Sequence, residues 1–170
     1  MTADEQEKIF QSWIAKHLGL MIKIVRSFTS EATDREDLLQ VMLINLWSSV
    51  VSFRGDSKEI TWIYRVSFQT AMVWVRGERR RRKNHSIYMK YIEEQKNCIH
   101  APINRDDELV EQLYSAIRQL PKVEAAIAIM HLDGLSYRDI AMVLGITENH
   151  VGVKLTRIRA ELTKRFTESK

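Results

Sequence analysis

The chain has 170 residues, of which 45% are apolar and 28% charged, and it carries a formal net charge of +4. That apolar share can build a core, so the composition excludes wholesale disorder and leaves one domain or two small ones. The single cysteine, Cys98, excludes an internal disulfide and a cysteine-based zinc site, which is typical of a reducing compartment. No apolar run is long enough to span a bilayer, and the N-terminus is acidic, unlike a signal peptide. We therefore expect a cytoplasmic protein.

Helical periodicity runs through most of the chain, which has only six glycines and two prolines. The fold class predicted is all-α. A first helical pattern covers about residues 4–28, with its core positions at Ile9, Trp13, Leu18, Ile24, Val25 and Phe28. Thr33 and Glu36 have the spacing of a capping box, which predicts a second helix from there to about Val51. Its predicted buried stripe consists of Leu39, Met42, Leu43, Leu46, Trp47 and Val50.

A second face of that helix mixes polar and aliphatic residues. It carries Asp37, Gln40, Val41 and Ile44. Aliphatic side chains among polar ones indicate a face that a partner helix covers. The alternative is that Val41 and Ile44 pack on the first helix of the same domain, and the sequence does not decide between the two.

A third helix, predicted over about residues 58–76, is apolar nearly all round and rich in aromatic residues. Basic residues lie in it and directly after it, among them Lys58, Arg65, Arg76, Arg79 and Arg80. Aromatic rings beside basic groups are suited to bind single-stranded nucleic acid, because unpaired bases stack on the rings. The alternatives are core packing for the rings and a solvated tail for the basic run.

Periodicity weakens over residues 84–105, which we interpret as a linker. The prediction is therefore two small helical domains, residues 1–83 and 106–170, joined by a flexible linker. After the linker, Asp106, Asp107 and Glu108 open a helix with Leu109, Leu113, Ile117 and Leu120 on one face, and Pro121 starts the next.

The segment from Ser136 to Arg159 has the pattern of a helix-turn-helix, which completes a four-helix C-terminal domain. Ser136 and Thr147 are suited to cap its two helices, and Gly145 tolerates the positive φ of the turn. In the second helix an apolar stripe faces inward at Val151, Leu155, Ile158 and Leu162. The outward side carries Asn149, Val153, Thr156, Arg157 and Lys164, a mix suited to base edges and phosphates. The alternative is an ordinary helical corner.

Two ordered blocks of residues resemble a known family. The first consists of residues 37–47, then Phe53-Arg-Gly-Asp-Ser57, Thr61-Trp-Ile-Tyr-Arg65 and the arginine run; the second of Leu120-Pro121, residues 134–141 and Leu144-Gly-Ile-Thr147. In this order and spacing they resemble the extracytoplasmic-function (ECF) type of RNA polymerase sigma factor, of the sigma-70 family.

The resemblance implies three groups of site residues. The helix at 34–51 would dock on core RNA polymerase through Asp37, Gln40, Val41 and Ile44. The first domain would bind the upstream (minus ten) promoter element and the separated strand through Phe53, Arg54, Asp56, Ser57, Lys58, Trp62, Arg65, Gln69, Arg76, Arg79 and Arg80. The helix-turn-helix would read the distal (minus thirty-five) element in the major groove through Thr147, Asn149, His150, Gly152, Val153, Thr156, Arg157 and Arg159.

The chain departs from the family pattern at three places. Val41 stands where a glutamate is usual, Gln69 stands where the family often has asparagine, and Gly152-Val153 replaces a basic or small polar pair. The outward position of Val153 predicts contact with a thymine methyl group. Arg157 and Arg159 are predicted to hold phosphates.

The resemblance also implies partners: core RNA polymerase, promoter DNA and an anti-sigma factor, often membrane-embedded. The expected function is that of an alternative sigma factor, which recognises two promoter elements and aids strand opening. The runner-up is a stand-alone helix-turn-helix repressor or activator, and a helical adaptor without DNA is a third reading. An enzyme is the weak reading, because the five histidines are not paired with carboxylates at metal-ligand spacing and no phosphate loop occurs. We expect no catalytic residue, metal, cofactor or small-molecule substrate.

Overall fold

The computed structural model describes residues 2–85 and 105–168, and in these ranges all regular structure is helical. The helices are α1 (Ala3–Phe28), α2 (Ala32–Val50), α3 (Glu59–His85), α4 (Arg105–Arg118), α5 (Lys122–Leu132), α6 (Tyr137–Leu144) and α7 (Glu148–Glu168). The all-α prediction is confirmed. The linker predicted at 84–105 lies almost entirely outside the described residues, as do the side chains of Arg79 and Arg80.

Helices α1, α2 and α3 pack against one another and form the N-terminal half. Their shared core contains Trp13, Met21, Met42, Leu46 and Ile63, none of them more than 1% exposed. Three residues that the periodicity placed in the core lie at its edge instead: Ile9, Leu18 and Trp47 are each 36% exposed.

The start of α2 differs from the prediction. Its N-cap is Glu31, which makes no side-chain capping bond, and Thr33 already lies inside the helix. The reason is that α1 ends at Phe28 and only three residues separate the helices, so the Arg35 amide already donates to the Glu31 carbonyl at 3.0 Å. A capping box does occur at Thr2 and Glu5, where α1 begins.

Helix α3 extends nine residues beyond the predicted end at Arg76 and stops at His85. Arginine and lysine are good helix formers, so the basic run continues the helix rather than following it as a tail.

The C-terminal half has the four helices predicted, α4 to α7. Ser136 caps α6 by accepting from the Asp139 amide at 3.1 Å, and Thr147 accepts from the His150 amide at 3.2 Å at the start of α7. Gly145 has a φ of +66°, so the predicted turn is confirmed. Leu109 was predicted to face the core and is 62% exposed, because burial along α4 develops only in its later turns, where Tyr114 and Ile117 lie.

The two halves pack directly on each other. Helix α1 contacts α4 and α5, and α3 contacts α6. Buried residues of both halves form one continuous apolar cluster, which reaches from Trp13 to Ile158.

Candidate polymerase and nucleic-acid interfaces

One face of α2 is exposed and carries the predicted polymerase-binding residues. Asp37, Gln40, Val41 and Ile44 follow one another at helical spacing, and all four are exposed, Ile44 by 63%. The opposite face is fully buried at Leu38, Met42 and Leu46. In this structure the two aliphatic residues therefore do not pack on α1, as the sequence alone had left open.

Beside this face an open groove of about 590 Å³ runs between α2 and α3. Across it the Asn45 amide donates to the Thr70 hydroxyl at 3.0 Å, which ties the two helices together. Its walls combine apolar side chains such as Val66 and Trp74 with the polar group of Gln69. Sequence reasoning named Gln69 and did not find the groove, because residues from two helices form it.

The loop before α3 is built around an aromatic cluster. The Phe53 ring lies 5.3 Å from that of Trp13 and 5.6 Å from that of Trp62, between centroids. The Trp62 indole also donates to the Ser49 hydroxyl at 3.2 Å. Phe53 and Trp62 are thus half-buried, and contacts within the protein hold both rings in place.

Predicted strand-binding residues line up along α3. Positions 58, 62, 65, 69 and 76 fall within about 60° of one another around a helix of 100° per residue. Arg65, Gln69 and Arg76 are exposed there. The Lys58 ammonium donates to Asp139 of α6 at 2.8 Å. Arg54 and Asp56 are exposed in the loop, where Gly55 takes a φ of +78°, and Ser57 is half-buried.

Helix α7 presents the predicted reading face. Asn149, His150, Val153, Thr156 and Arg157 are all exposed, whereas Val151, Leu155 and Ile158 are buried against the other helices. This separation of faces is the one predicted from the spacing of the apolar residues.

Arg159 and Gly152, both assigned to the distal element, lie beside side chains of α5 and α6. Arg159 lies 2.8 Å from the His131 ring nitrogen, and Gly152 faces the Tyr137 ring, whose Cε2 atom would lie 3.6 Å from an added Cβ. Position 152 therefore has room for a methyl group against the Tyr137 ring. Tyr137, 38% exposed beside the reading face, was not predicted as a site residue, and only its place at the start of α6 could have indicated it.

The carboxylate of Asp139 accepts hydrogen bonds from Lys58 and Ser136 beside these surfaces. Hydrogen bonds from Lys58 and then from Ser136 lower its pKa, against the opposing effect of burial. Asp139 is ionised at neutral pH and fixes both the first turn of α6 and the Lys58 ammonium.

Neither a metal site nor a membrane span occurs among the described residues. No group of three or more His, Cys, Asp or Glu side chains is placed to hold a metal ion there. No helix within residues 2–85 and 105–168 is long and apolar enough to cross a membrane.

Comparison with known proteins explains this arrangement of surfaces. The family model for sigma-70 region 2 matches residues 13–81, and that for sigma-70 region 4 matches residues 110–162. The chain therefore belongs to the sigma-70 family of RNA polymerase sigma factors, in its ECF group. Its function is that of an alternative sigma factor that directs transcription initiation.

Individual relatives are similar along most of their length. The ECF RNA polymerase sigma-E factor of Haemophilus influenzae is 28% identical over 161 residues, which cover 90% of this chain and 85% of that protein. The RNA polymerase sigma-H factor of Pseudomonas aeruginosa is 25% identical over 166 residues, covering 93% and 86%.

Solved structures share the fold at lower identity. The structure of CnrH in complex with the cytosolic domain of CnrY matches with a TM-score of 0.69 at 19% identity, covering 96% of this chain and 91% of that one. The sigma factor RpoE in complex with the anti-sigma factor NepR from Bartonella quintana matches with a TM-score of 0.67 at 18% identity, covering 96% and 99%.

Proposed function

We propose how the surfaces of this sigma factor divide its work. The exposed face of α2 at Asp37, Gln40, Val41 and Ile44 binds core RNA polymerase. The α3 face and the loop before it bind the upstream element and the separated strand. The exposed face of α7 reads the distal element in the major groove.

A single observation carries this proposal: one chain presents both an exposed, partly aliphatic face on α2 and an exposed reading face on α7. A free-standing repressor needs only the second. Two DNA-binding surfaces that are each weak bind tightly together when a partner protein fixes the distance between them, and core polymerase is such a partner.

The division into domains follows the same reasoning. Residues 1–83 form a unit for polymerase and upstream-element binding, residues 84–105 connect, and residues 106–170 form the distal-element unit. The protein acts in the cytoplasm and performs no chemistry of its own, since its contribution is the recognition of DNA. A partner that covers the apolar α2 face, as an anti-sigma factor would, keeps it from polymerase.

The experiment is transcription in vitro with core polymerase from the same organism, on fragmented genomic DNA, with sequencing of transcript ends. We expect discrete start sites that depend on the protein and share two upstream elements at fixed spacing. Asn149→Ala with Val153→Ala should abolish these starts, and Thr163→Ala, an exposed change further along α7, should preserve them. An absence of protein-dependent starts together with tight duplex binding by the protein alone would contradict the proposal.

A further inference from the structure

A histidine and an arginine meet on one flank of the helix-turn-helix. His131 lies at the end of α5, and its ring atom Nε2 is 2.8 Å from the Nη2 atom of Arg159 on α7. Solvent reaches both side chains, since Arg159 is exposed and His131 is half-buried. Two basic side chains in direct contact are uncommon, because a guanidinium and a charged imidazole repel each other.

This contact fixes the protonation state of the imidazole. A guanidinium has donors only, so the Nε2 atom of His131 supplies the lone pair that accepts the hydrogen bond from Arg159. The ring is therefore neutral, with its proton on Nδ1. A protonated ring would have no lone pair for Arg159 and would place a second positive charge beside it.

The other groups near His131 leave this pair to itself. From α6, the Tyr137 ring lies 6.1 Å from the imidazole, between centroids, and meets it edge to face. The other charged groups of α5 and of the elements around it have partners of their own: Asp133 with Lys23 and Tyr64, Glu124 with Lys154, Glu111 with Arg26 and Arg118, and Lys122 with the Phe28 ring. Among the described residues, Arg159 is thus the charged group that contacts the imidazole.

The pair lies where the backbone of a bound duplex would pass. Arg159 lies about 60° around α7 from Thr156 of the reading face, at 100° per residue. When the reading face of a helix enters the major groove, its flanks and the helix before it lie against the phosphates. His131 stands on that flank, beside the start of α6.

We propose that His131 and Arg159 form a phosphate-binding site for duplex DNA that takes up one proton when the DNA binds. The proposal deepens the DNA-reading function proposed above for α7 and rests on it. In the free chain the guanidinium donates to Nε2. In the complex a phosphate oxygen accepts from the guanidinium instead, and the freed Nε2 atom takes a proton from water. The new N–H donates to the same phosphate, so two positive groups hold one negative group.

The affinity for DNA should therefore increase as the pH falls. The DNA-bound form carries one proton more than the free form, so the association constant rises by at most about tenfold for each unit of pH. Histidine side chains change charge between about pH 5 and pH 8, which places the effect in that range.

The test is duplex binding by the full-length protein at pH 8 and at pH 6, at low salt. The probe is a fluorescent duplex of mixed sequence and about 30 base pairs, because contacts to phosphates do not depend on sequence. His131→Gln keeps a neutral acceptor on α5 and cannot take up a proton. His17→Gln is the matched control, since it removes a histidine of α1 that is bonded to Glu59 at 2.8 Å.

We expect the parent to gain about fivefold in affinity over His131→Gln between pH 8 and pH 6, and to gain nothing over His17→Gln. Calorimetry in two buffers of different ionisation enthalpy should count more protons taken up by the parent than by His131→Gln. Circular dichroism verifies folding, and His131→Leu, which is equally unable to take up a proton, decides the matter if His131→Gln fails to fold. An equal pH dependence in the parent and in the folded variant would overturn the proposal.

Arg159→Gln tests the contact with the phosphate itself. It should make the slope of log affinity against log salt shallower by about 1 at pH 8. Lys8→Gln, which removes a positive charge from α1, should leave the slope unchanged. An unchanged slope in Arg159→Gln, or a parent that does not bind the duplex, would overturn the proposal. These measurements use neither polymerase nor a promoter, so their failure can be told from an absence of protein-dependent transcript starts.

Discussion

Two glycines in the helix-turn-helix, Gly145 and Gly152, differ in backbone conformation. Gly145 has a φ of +66°, in the left-handed region that L side chains rarely adopt. Gly152 lies inside α7, where the backbone is helical and an added Cβ would make an ordinary contact with Tyr137 at 3.6 Å. The same substitution should therefore have opposite effects at positions seven residues apart.

We predict that Gly145→Ala lowers the free energy of unfolding by about 1–2 kcal/mol, because alanine is strained in the left-handed region. Gly152→Ala should raise it by about 0.5–1 kcal/mol, because alanine favours a helix interior. Urea denaturation followed by circular dichroism measures both, and each variant serves as the control for the other. Equal effects would show that the turn does not require the positive φ.

Val153 tests direct readout by a single side chain. It is 47% exposed on the reading face of α7, where an apolar group suits a thymine methyl. Val153→Ser should weaken binding of the holoenzyme to its own promoter by about 1 kcal/mol, roughly fivefold, and leave binding to unrelated DNA unchanged. Ala160→Ser, also exposed on α7, is the matched control in a competition binding assay. An unchanged site preference in Val153→Ser would rule out the methyl contact.

At the scale of helices, the exposed side of α2 can be separated from its buried side. Ile44 is 63% exposed, so Ile44→Glu should change the free energy of unfolding by no more than about 0.5 kcal/mol. The same change should weaken the affinity for core polymerase about tenfold or more, because it places a charge in an apolar contact. Ile22→Glu, on an isoleucine 41% exposed on α1, should leave that affinity unchanged. Equal losses in both variants would argue against a specific face.

Local signals in the sequence predicted most helices and several of their ends correctly, and they predicted the burial of individual side chains less well. Ser136, Gly145 and Thr147 mark their helix ends because capping and positive φ depend on residues close in sequence. The capping box predicted at Thr33 was wrong, because only three residues separate α1 from α2 and α2 begins before Thr33. The predicted burial of Leu109 was wrong. Periodicity shows which face of a helix turns toward the core, and it does not show how far along the helix the neighbouring helices extend.

At the scale of the whole molecule, the seam between the halves lay beyond prediction from the sequence. The partners Lys23 and Asp133 are 110 residues apart, and Lys58 and Asp139 are 81 apart. No periodicity links such positions, and each residue alone has the ordinary appearance of a surface charge. The weak periodicity at 84–105 predicted a flexible linker, and a flexible linker leaves open whether the domains touch.

The packing of the two halves on each other should depend on pH. Burial acts to raise the pKa of Glu111, and hydrogen bonds from Arg26 and Arg118 outweigh it, so the folded pKa lies below the ordinary value of 4.5. The pKa of Asp139 is likewise lowered from 3.8 by Lys58 and Ser136. Groups with lowered folded pKa values stabilise the structure above their ordinary pKa, and this contribution disappears as the pH falls through the folded value.

We therefore predict constant energy transfer from pH 7 to pH 5 between two fluorescent labels, placed at Glu36→Cys on α2 and Thr163→Cys on α7 in a chain with Cys98→Ser. Below about pH 4 the transfer should fall, because the two halves separate. Glu111→Gln should flatten that dependence, because the amide does not titrate. An acid transition of the same size in Glu111→Gln as in the parent would assign it to other carboxylates.

The apolar contact of Phe28, Phe68 and Met130 has a consequence for the lifetime of the protein in the cell. When the halves separate, these side chains meet water, and an opened chain displays the kind of surface that chaperones and proteases act on. We expect a partner that binds the separated halves to slow this degradation, and a chain without a partner to be degraded sooner. The abundance of active protein would then follow the supply of its partners, without any separate signal for its degradation.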